Sequence, residues 1–197
     1  PFIDVHEGST PHYDHILWLA YTGVSTGWDV EGGGKEFRPW DNVARCDMAA
    51  FLYRLAGEPA FEPSAADLAA FVDVDESTPH YEAVLWLAST GISEGWDLGG
   101  GKREFRPYDD IARIDMAAFL HRLANWMGAP EATGVSMSFP DVSEGMPHAE
   151  DVRWLSAAGI TTGFQNGTYR PYSSIVRCDM AAMLHRLDGF VNGYEVE

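Results

Sequence analysis

The chain has 197 residues and a formal net charge of −17, from 30 acidic and 13 basic side chains. Such an acidic chain is not expected to bind nucleic acid, which requires a basic surface, and no apolar run approaches the roughly 20 residues of a membrane span. Because 46% of the residues are hydrophobic and 13% are aromatic, we expect a folded chain with a substantial core.

The chain repeats one unit three times. The first halves of the copies read "FIDVHEGSTPHYDHILWLAYTGVSTGW" (2–28), "FVDVDESTPHYEAVLWLASTGISEGW" (71–96) and "FPDVSEGMPHAEDVRWLSAAGITTGF" (139–164). We therefore predict repeats at 1–57, 71–127 and 139–197, the last with a C-terminal tail, joined by Pro-, Ala- and Gly-rich linkers at 58–70 and 128–138. Because "PFIDV" enters the motif in its middle, we expect a piece of a longer protein.

Each copy predicts a helix, a loop, a short extended segment and a second helix. The first helix follows a Pro-His pair and ends at Gly23, Gly91 or Gly159. The loop is four residues shorter in the third copy. The second helix carries one apolar stripe per copy, and one helix pair cannot bury it alone. We therefore expect one body with threefold pseudo-symmetry, in which the three stripes meet at a common axis.

The second helices lie in "RPWDNVARCDMAAFLYRL" (38–55), "RPYDDIARIDMAAFLHRL" (106–123) and "RPYSSIVRCDMAAMLHRL" (170–187). Nine of the 13 basic residues occupy three positions of this segment. They are Arg38, Arg106 and Arg170; Arg45, Arg113 and Arg177; and Arg54, Arg122 and Arg186. The first set precedes proline in a predicted extended segment, and its role stays open. The third set lies near the helix C-terminus, where a cation is favourable.

The middle set, Arg45, Arg113 and Arg177, lies in the first helical turn, where a cation opposes the helix dipole. The helix start does not need the arginine, because polar residues just before it can cap it. The candidate caps are Asp41, Asp109 and Ser173, or Asn42, Asp110 and Ser174. We therefore favour a ligand role, since a guanidinium suits a carboxylate held at an amide-rich helix start. The alternative is an ion pair that braces a neighbouring copy.

Other candidate chemistry is sparse. Cys46 and Cys178 share a position with Ile114, which indicates a buried apolar site, with a Cys46–Cys178 bridge as the alternative. The loop aromatics Trp28, Trp96 and Phe164 suit either sugar stacking or packing. No pattern predicts a metal site, a cofactor or a catalytic residue. The residues of interest are triplicated, which is typical of multivalent binding.

The spaced elements Phe-x-Asp-Val, Pro-His, Gly-Ile-x-x-Gly, Arg-Pro and the Arg-x-Asp helix start resemble the S-layer homology (SLH) domain over nearly the whole chain. The resemblance implies a mainly α fold, in which three repeats form a pseudo-threefold, three-pronged spindle around a central three-helix bundle with short extended segments. This sequence departs from the family's Thr-Arg-Ala-Glu helix start, because Ala44, Ala112 and Val176 replace the threonine.

The resemblance also implies a function. It suggests a non-enzymatic module of a larger secreted protein, held non-covalently at the wall of a Gram-positive bacterium by cell-wall polysaccharide, with no membrane insertion. The family's polymer often carries pyruvylated N-acetylmannosamine, whose carboxylate the motif arginine reaches. The matching ligand-binding positions are Arg45, Arg113, Arg177, Asp4, Asp73, Asp141, Gly27, Gly95, Gly163, Trp28, Trp96 and Phe164. The alternatives are a structural or protein-interaction module with bracing arginines and, less favoured, a wall glycosidase.

Overall fold

The computed structural model describes residues 1–196 and is mainly helical. The helices are α1 (Tyr13–Tyr21), α2 (Arg45–Leu55), α3 (Ala65–Leu68), α4 (Tyr81–Ser89), α5 (Arg113–Trp126), α6 (Ala149–Ala157) and α7 (Arg177–Asn192). Two antiparallel hairpins pair β1 (Trp28–Asp29) with β2 (Lys35–Glu36) and β3 (Trp96–Gly99) with β4 (Lys102–Glu104). The predicted mainly α class is confirmed.

The first helix of each repeat has the predicted ends. Helices α1, α4 and α6 each follow a histidine in the left-handed region, with φ of 58° at His12, 58° at His80 and 60° at His148. Two residues after each helix comes a glycine with positive φ. A left-handed glycine just after a helix is a common way to end it, because the chain turns and its N–H groups can bond the last helical carbonyls.

The predicted extended segment is more sharply turned than expected. Arg38, Arg106 and Arg170 precede proline but have φ of 58°, 57° and 58°, so an extended conformation is wrong for these residues. A carboxylate holds each turn. In the first repeat, Asp4 accepts hydrogen bonds from the N–H of Phe37 at 2.8 Å and from the N–H of Arg38 at 2.7 Å.

The second helices are not capped by their own side chains, so the predicted Asp, Asn and Ser caps are wrong. The residue before each helix is Ala44, Ala112 or Val176, with no side-chain cap. Instead, the N–H groups of Arg45 and Cys46 donate to the carbonyls of Asp109 (3.0 Å) and Pro107 (2.9 Å) in the next repeat. The starts of α5 and α7 are capped in the same way. Helix capping is thus a contact between repeats.

These contacts follow one cyclic order. Isolated β-bridges join Asn42 to Val176, Ala44 to Asp110, and Ala112 to Ser174. Helix α4 packs on α2, α6 packs on α5, and α1 packs on α7. Each first helix therefore lies on the second helix of the preceding repeat, and the first repeat receives this contact from the third.

The second helices supply much of one continuous core, as their apolar stripes predict. Met48, Met116 and Met180 are fully buried, together with leucines and phenylalanines from all three repeats. Cys46 and Cys178 are free and buried in this core, so the alternative of a bridge between them is wrong. Burial, and then the nearby Asp47, raise the pKa of the Cys46 thiol to about 11.

The predicted first linker, 58–70, contains the short helix α3, which the sequence did not predict. A capping box fixes its start, because Ser64 and Asp67 each accept a hydrogen bond from the other's backbone N–H. None of the helices within residues 1–196 is long and apolar enough to cross a membrane.

Candidate functional site: three grooves between the repeats

Three grooves lie at the junctions between repeats, and each is named here after its motif arginine. Every groove combines an arginine from one repeat, the loop and second helix of the next, and the histidine before the first helix of the third. The Arg177 groove contains Trp28, Asp47, Arg54 and His80; the Arg45 groove contains Trp96, Asp115, Arg122 and His148; the Arg113 groove contains Phe164, Asp179, Arg186 and His12. No groove can form from a single repeat.

The motif arginines are buried, although their repeats are strongly acidic. Arg45, Arg113 and Arg177 are 3%, 4% and 2% exposed. The Nε–H of Arg45 donates to the carbonyl of Phe105 at 2.8 Å, and that of Arg113 donates to the carbonyl of Tyr169 at 2.8 Å. Arg177 makes the matching bond to Phe37 at 2.6 Å. The Nε–H of each guanidinium is thus bonded to the backbone of the next repeat.

The loop aromatic lies against two arginines in every groove. Trp96 has the Cζ of Arg45 at 4.1 Å and that of Arg106 at 4.5 Å from its ring centroid. The same pair of contacts occurs at the other junctions, where Trp28 meets Arg177 and Arg38, and Phe164 meets Arg113 and Arg170. These distances fall within the cation–π range. The aromatics and two of the three arginine sets therefore form one structural unit.

The arginines differ in how closely a carboxylate approaches them. Arg113 pairs with Asp179 at 3.1 Å, and Arg45 pairs with Asp115 at 3.6 Å. Arg177 has no carboxylate within 4.0 Å among residues 1–196. Burial lowers the pKa of Arg45 and of Arg177 to about 10, although nearby aspartates oppose the shift. Both guanidiniums therefore stay charged at neutral pH.

In each groove, the histidine comes from the one repeat that supplies neither the motif arginine nor the loop. His12 Nε2 lies 3.6 Å from Asp179, and His80 Nε2 lies 3.5 Å from Asp47. Burial alone would raise the pKa of Asp179, but the nearby His12 and the charge of Arg113 lower it. His148 instead pairs with Asp151 at 3.1 Å.

Nine of the twelve predicted site residues lie in the grooves. They are the three motif arginines, the three loop aromatics, and Gly27, Gly95 and Gly163. Gly95 has φ of 65°, and a Cβ there would lie 2.5 Å from the Glu104 carbonyl and 2.6 Å from the Phe71 ring. A side chain at this position would displace the loop that carries Trp96.

The three predicted aspartates lie outside the residues that line these grooves. Asp73 accepts from the N–H of Phe105 at 2.8 Å and of Arg106 at 2.7 Å. Asp4 and Asp141 do the same in their repeats. Both oxygens of each carboxylate thus hold the loop backbone, and direct ligand contact by these residues stays a prediction.

Sequence reasoning missed four further sets of groove residues. These are Asp47, Asp115 and Asp179; Arg54, Arg122 and Arg186; His12, His80 and His148; and Ser25, Ser93 and Thr161. The sequence explained these arginines by their position near the C-terminus of their own helix. The sequence did contain one signal for these residues, because each set recurs in all three repeats, as the motif arginines do. In the part of the chain that the structure describes, no group of three or more His, Cys, Asp or Glu side chains could hold a metal ion.

Comparison with known proteins agrees with the repeats seen in the sequence. The family model for the S-layer homology domain matches residues 70–117 and 138–181. A protein named "Cellulosome-anchoring protein" from Acetivibrio thermocellus is 25% identical over 154 residues, which cover 78% of this chain and 33% of that protein.

A second protein of Acetivibrio thermocellus, "Cell surface glycoprotein 1", is 27% identical over 157 residues, which cover 76% of this chain and 6% of that protein. The chain therefore spans a third or less of the length of these relatives. Two segments match the family model directly, and residues 1–57 repeat their motifs and join the same ring of contacts. The chain therefore carries S-layer homology domains at residues 70–117 and 138–181.

Proposed function

We propose that this chain is a cell-surface anchoring module that binds an anionic cell-wall polysaccharide non-covalently through its inter-repeat grooves. The two S-layer homology domain matches support anchoring at the cell surface, as do the two relatives, whose names describe an anchoring protein and a surface glycoprotein. The same comparisons favour a binding module over an enzyme. The relatives also support a place within a larger protein, since each is much longer than this chain, and we propose that this protein is extracellular and held at a Gram-positive wall.

The observation that carries the proposal is the concentration of arginine in the grooves. The chain has a net charge of −17, yet each groove combines a buried motif arginine with a second arginine from the next repeat. In Arg45 and Arg177, only Nε–H has a hydrogen-bond partner among the described residues. The terminal nitrogens of these two guanidiniums are therefore able to donate to a carboxylate, which guanidinium binds with two parallel bonds.

The aromatic beside each arginine supports a sugar ligand. Trp28, Trp96 and Phe164 line the grooves beside these arginines, and an aromatic side chain in a groove suits contact with the apolar part of a sugar. A carboxylated sugar, such as a pyruvylated residue of a secondary wall polymer, would use both features of one groove. Repetition of the site on one body would raise the overall affinity through multivalency.

We further propose that the three repeats form a pseudo-threefold spindle, with the second helices at its centre and the first helices in the prongs. The cyclic bridges and the packing of each first helix on the second helix of the preceding repeat support this arrangement. It would place the three grooves around one axis.

Wall binding tests the function. The chain would be incubated with purified wall sacculi, either intact or stripped of secondary polymer by mild acid, and the pelleted fraction measured. We expect binding to intact walls that disappears on stripping. It should also weaken when Arg45 or Arg177 is changed to Ala, but not when the half-buried Arg153, which lines none of the grooves, is changed. Binding that survives stripping points to peptidoglycan, and no binding to either wall would refute the anchoring proposal.

A protein-interaction module is the second candidate, and one observation favours it. Trp40, Tyr108 and Tyr172 follow the Arg-Pro turn in their repeats and are 63%, 68% and 66% exposed. Three equivalent exposed aromatics suit a protein interface. Changing all three to Ser should leave wall binding intact under the polysaccharide proposal and should abolish it if a wall protein is the partner. Release of reducing sugar from walls would instead indicate a glycosidase.

A further inference from the structure

The three grooves share one plan but differ in the polar atoms they leave without partners. The segment after the first helix, Gly-Val-x-x-Gly in the first repeat and Gly-Ile-x-x-Gly in the others, places a hydroxyl residue in each groove, namely Ser25, Ser93 or Thr161. Ser25 and Ser93 are 3% and 2% exposed, and within residues 1–196 neither hydroxyl has a hydrogen-bond partner. The Thr161 hydroxyl accepts a hydrogen bond from the N–H of Gly163 at 3.2 Å.

A buried hydroxyl without a partner is unfavourable. Native proteins pair nearly all such groups, and each exception calls for an explanation. Here the two exceptions are at equivalent positions, one in the Arg177 groove and one in the Arg45 groove. Repetition at equivalent positions indicates a shared cause.

The arginines of the same two grooves are also the less occupied ones. Arg177 has no carboxylate within 4.0 Å among the described residues, and Arg45 has Asp115 at 3.6 Å. In these grooves, both the guanidinium and the hydroxyl therefore keep donors for an incoming ligand. The two observations are independent, since one concerns the second helix and the other concerns the loop.

The Arg113 groove is satisfied from within. Arg113 donates to Asp179 at 3.1 Å, and its own carbonyl accepts from the hydroxyl of Tyr169 at 2.8 Å. The equivalents of Tyr169 are Phe37 and Phe105, which have no hydroxyl. A ligand carboxylate in this groove would have to displace Asp179 from the guanidinium. The free energy lost with the Arg113–Asp179 ion pair would offset most of the free energy gained from the new pair with the ligand.

From these contacts we infer that the chain has two ligand-competent grooves, those of Arg177 and Arg45, and that the hydroxyls of Ser25 and Ser93 bind the ligand beside the arginine. The Arg113 groove is a structural junction. This inference rests on the proposed function, and it narrows the ligand to a carboxylated sugar with a second oxygen that a buried hydroxyl can reach.

The test is a calorimetric titration of the full chain with the methyl glycoside of pyruvylated N-acetylmannosamine, followed by the variants Ser25→Ala, Ser93→Ala and Thr161→Ala. For the unaltered chain, we expect two sites. Each serine variant should weaken one site roughly tenfold, which is the effect of one lost hydrogen bond, and the double variant should weaken both. Thr161→Ala should leave the titration unchanged.

Thermal unfolding of the same variants separates ligand contact from structure. Ser25→Ala and Ser93→Ala should unfold at or above the temperature of the unaltered chain, because they remove an unpaired buried hydroxyl. Thr161→Ala should unfold at a lower temperature, because the Gly163 N–H loses its acceptor. Three equal sites, loss of binding in Thr161→Ala, or serine variants that bind normally would overturn the inference while leaving the proposed function standing. No binding of the glycoside by the unaltered chain would overturn the inference, and the wall-binding assay would then decide the proposed function separately.

Discussion

Replacing Arg113 by alanine should destabilise the fold more than any change to an exposed arginine. Three contacts would be lost together: the hydrogen bond to the Tyr169 carbonyl at 2.8 Å, the ion pair with Asp179 at 3.1 Å, and the contact with Phe164 at 4.6 Å. All three join the second repeat to the third. The change therefore acts on a junction of the ring rather than on one repeat.

The magnitude follows from these contacts. A hydrogen bond from a charged donor contributes about 1.5–3 kcal/mol, and a cation–π contact contributes about 0.5–1 kcal/mol. Asp179 would lose its partner, but its side chain is 28% exposed, so water would relieve part of that cost. We expect a decrease of about 3 kcal/mol in the free energy of unfolding, or roughly 6–12 °C in Tm for a chain of this size.

Urea unfolding followed by circular dichroism would measure this change. Arg153→Ala is the matched control, because its partner Glu144 lies at 3.8 Å and is 94% exposed, and we expect a change within about 0.5 kcal/mol. Arg177→Ala should cost less than Arg113→Ala, by about 1 kcal/mol, because no carboxylate is left without a close partner. Equal effects of Arg113→Ala and Arg153→Ala would refute the bracing role of the buried arginine.

Three more predictions concern the loop, the ring closure and the core. Gly95→Ala should lower the free energy of unfolding by about 2–4 kcal/mol, because its Cβ would meet the Glu104 carbonyl. The control is Gly91→Ala, where φ is 71° but a Cβ meets open space, and this change should cost only about 1 kcal/mol. Equal costs of the two changes in urea unfolding would contradict the argument. His15, whose Nδ1 lies 3.0 Å from that of His185, has a pKa lowered to about 4 by burial and by nearby cationic groups. As the pH falls below about 6.5, His15 therefore binds a proton in the unfolded chain before it does so in the folded chain. Stability should be full above about pH 6.5 and should fall toward pH 4 by up to about 3 kcal/mol, whereas His15→Gln should remove this slope from Tm measured against pH. Both cysteines should resist an aromatic disulfide reagent in the native chain and react on unfolding, because each is buried and only the thiolate attacks; fast labelling of the native chain would contradict their burial.

The repeats and their elements could be read from the sequence because they depend on local chemistry. The Pro-His pair, the glycine after the first helix and the i, i+3, i+4, i+7 stripe each specify a helix end or a buried face within a few residues. The structure has the first helices and the stripes where these signals put them. The opposition of Arg45 to its helix dipole also marked it correctly as a residue with a task outside its own helix.

The capping of that helix could not be read, because the partners come from another repeat. Sequence rules look for a side chain next to the helix, whereas the Arg45 N–H finds the Asp109 carbonyl. Every residue has a backbone carbonyl, so the residue type at a position does not indicate such a partner. The same limit hid the left-handed conformation of Arg38, which depends on the distant carboxylate of Asp4.

The sequence by itself determined that three copies of a helix–loop–helix unit exist, that each carries an unusual arginine, and that the copies must share one core. Only the tertiary structure decided which copies meet and how the grooves are assembled. It brought Arg177, Trp28 and His80 from three different repeats to one site. It also showed that two of the motif arginines differ: Arg113 pairs with Asp179, whereas no carboxylate of the described residues approaches Arg177 as closely. The ion-pair distances of Arg45 (3.6 Å) and Arg113 (3.1 Å) also differ, and such differences are set by how the helices pack, not by residue type.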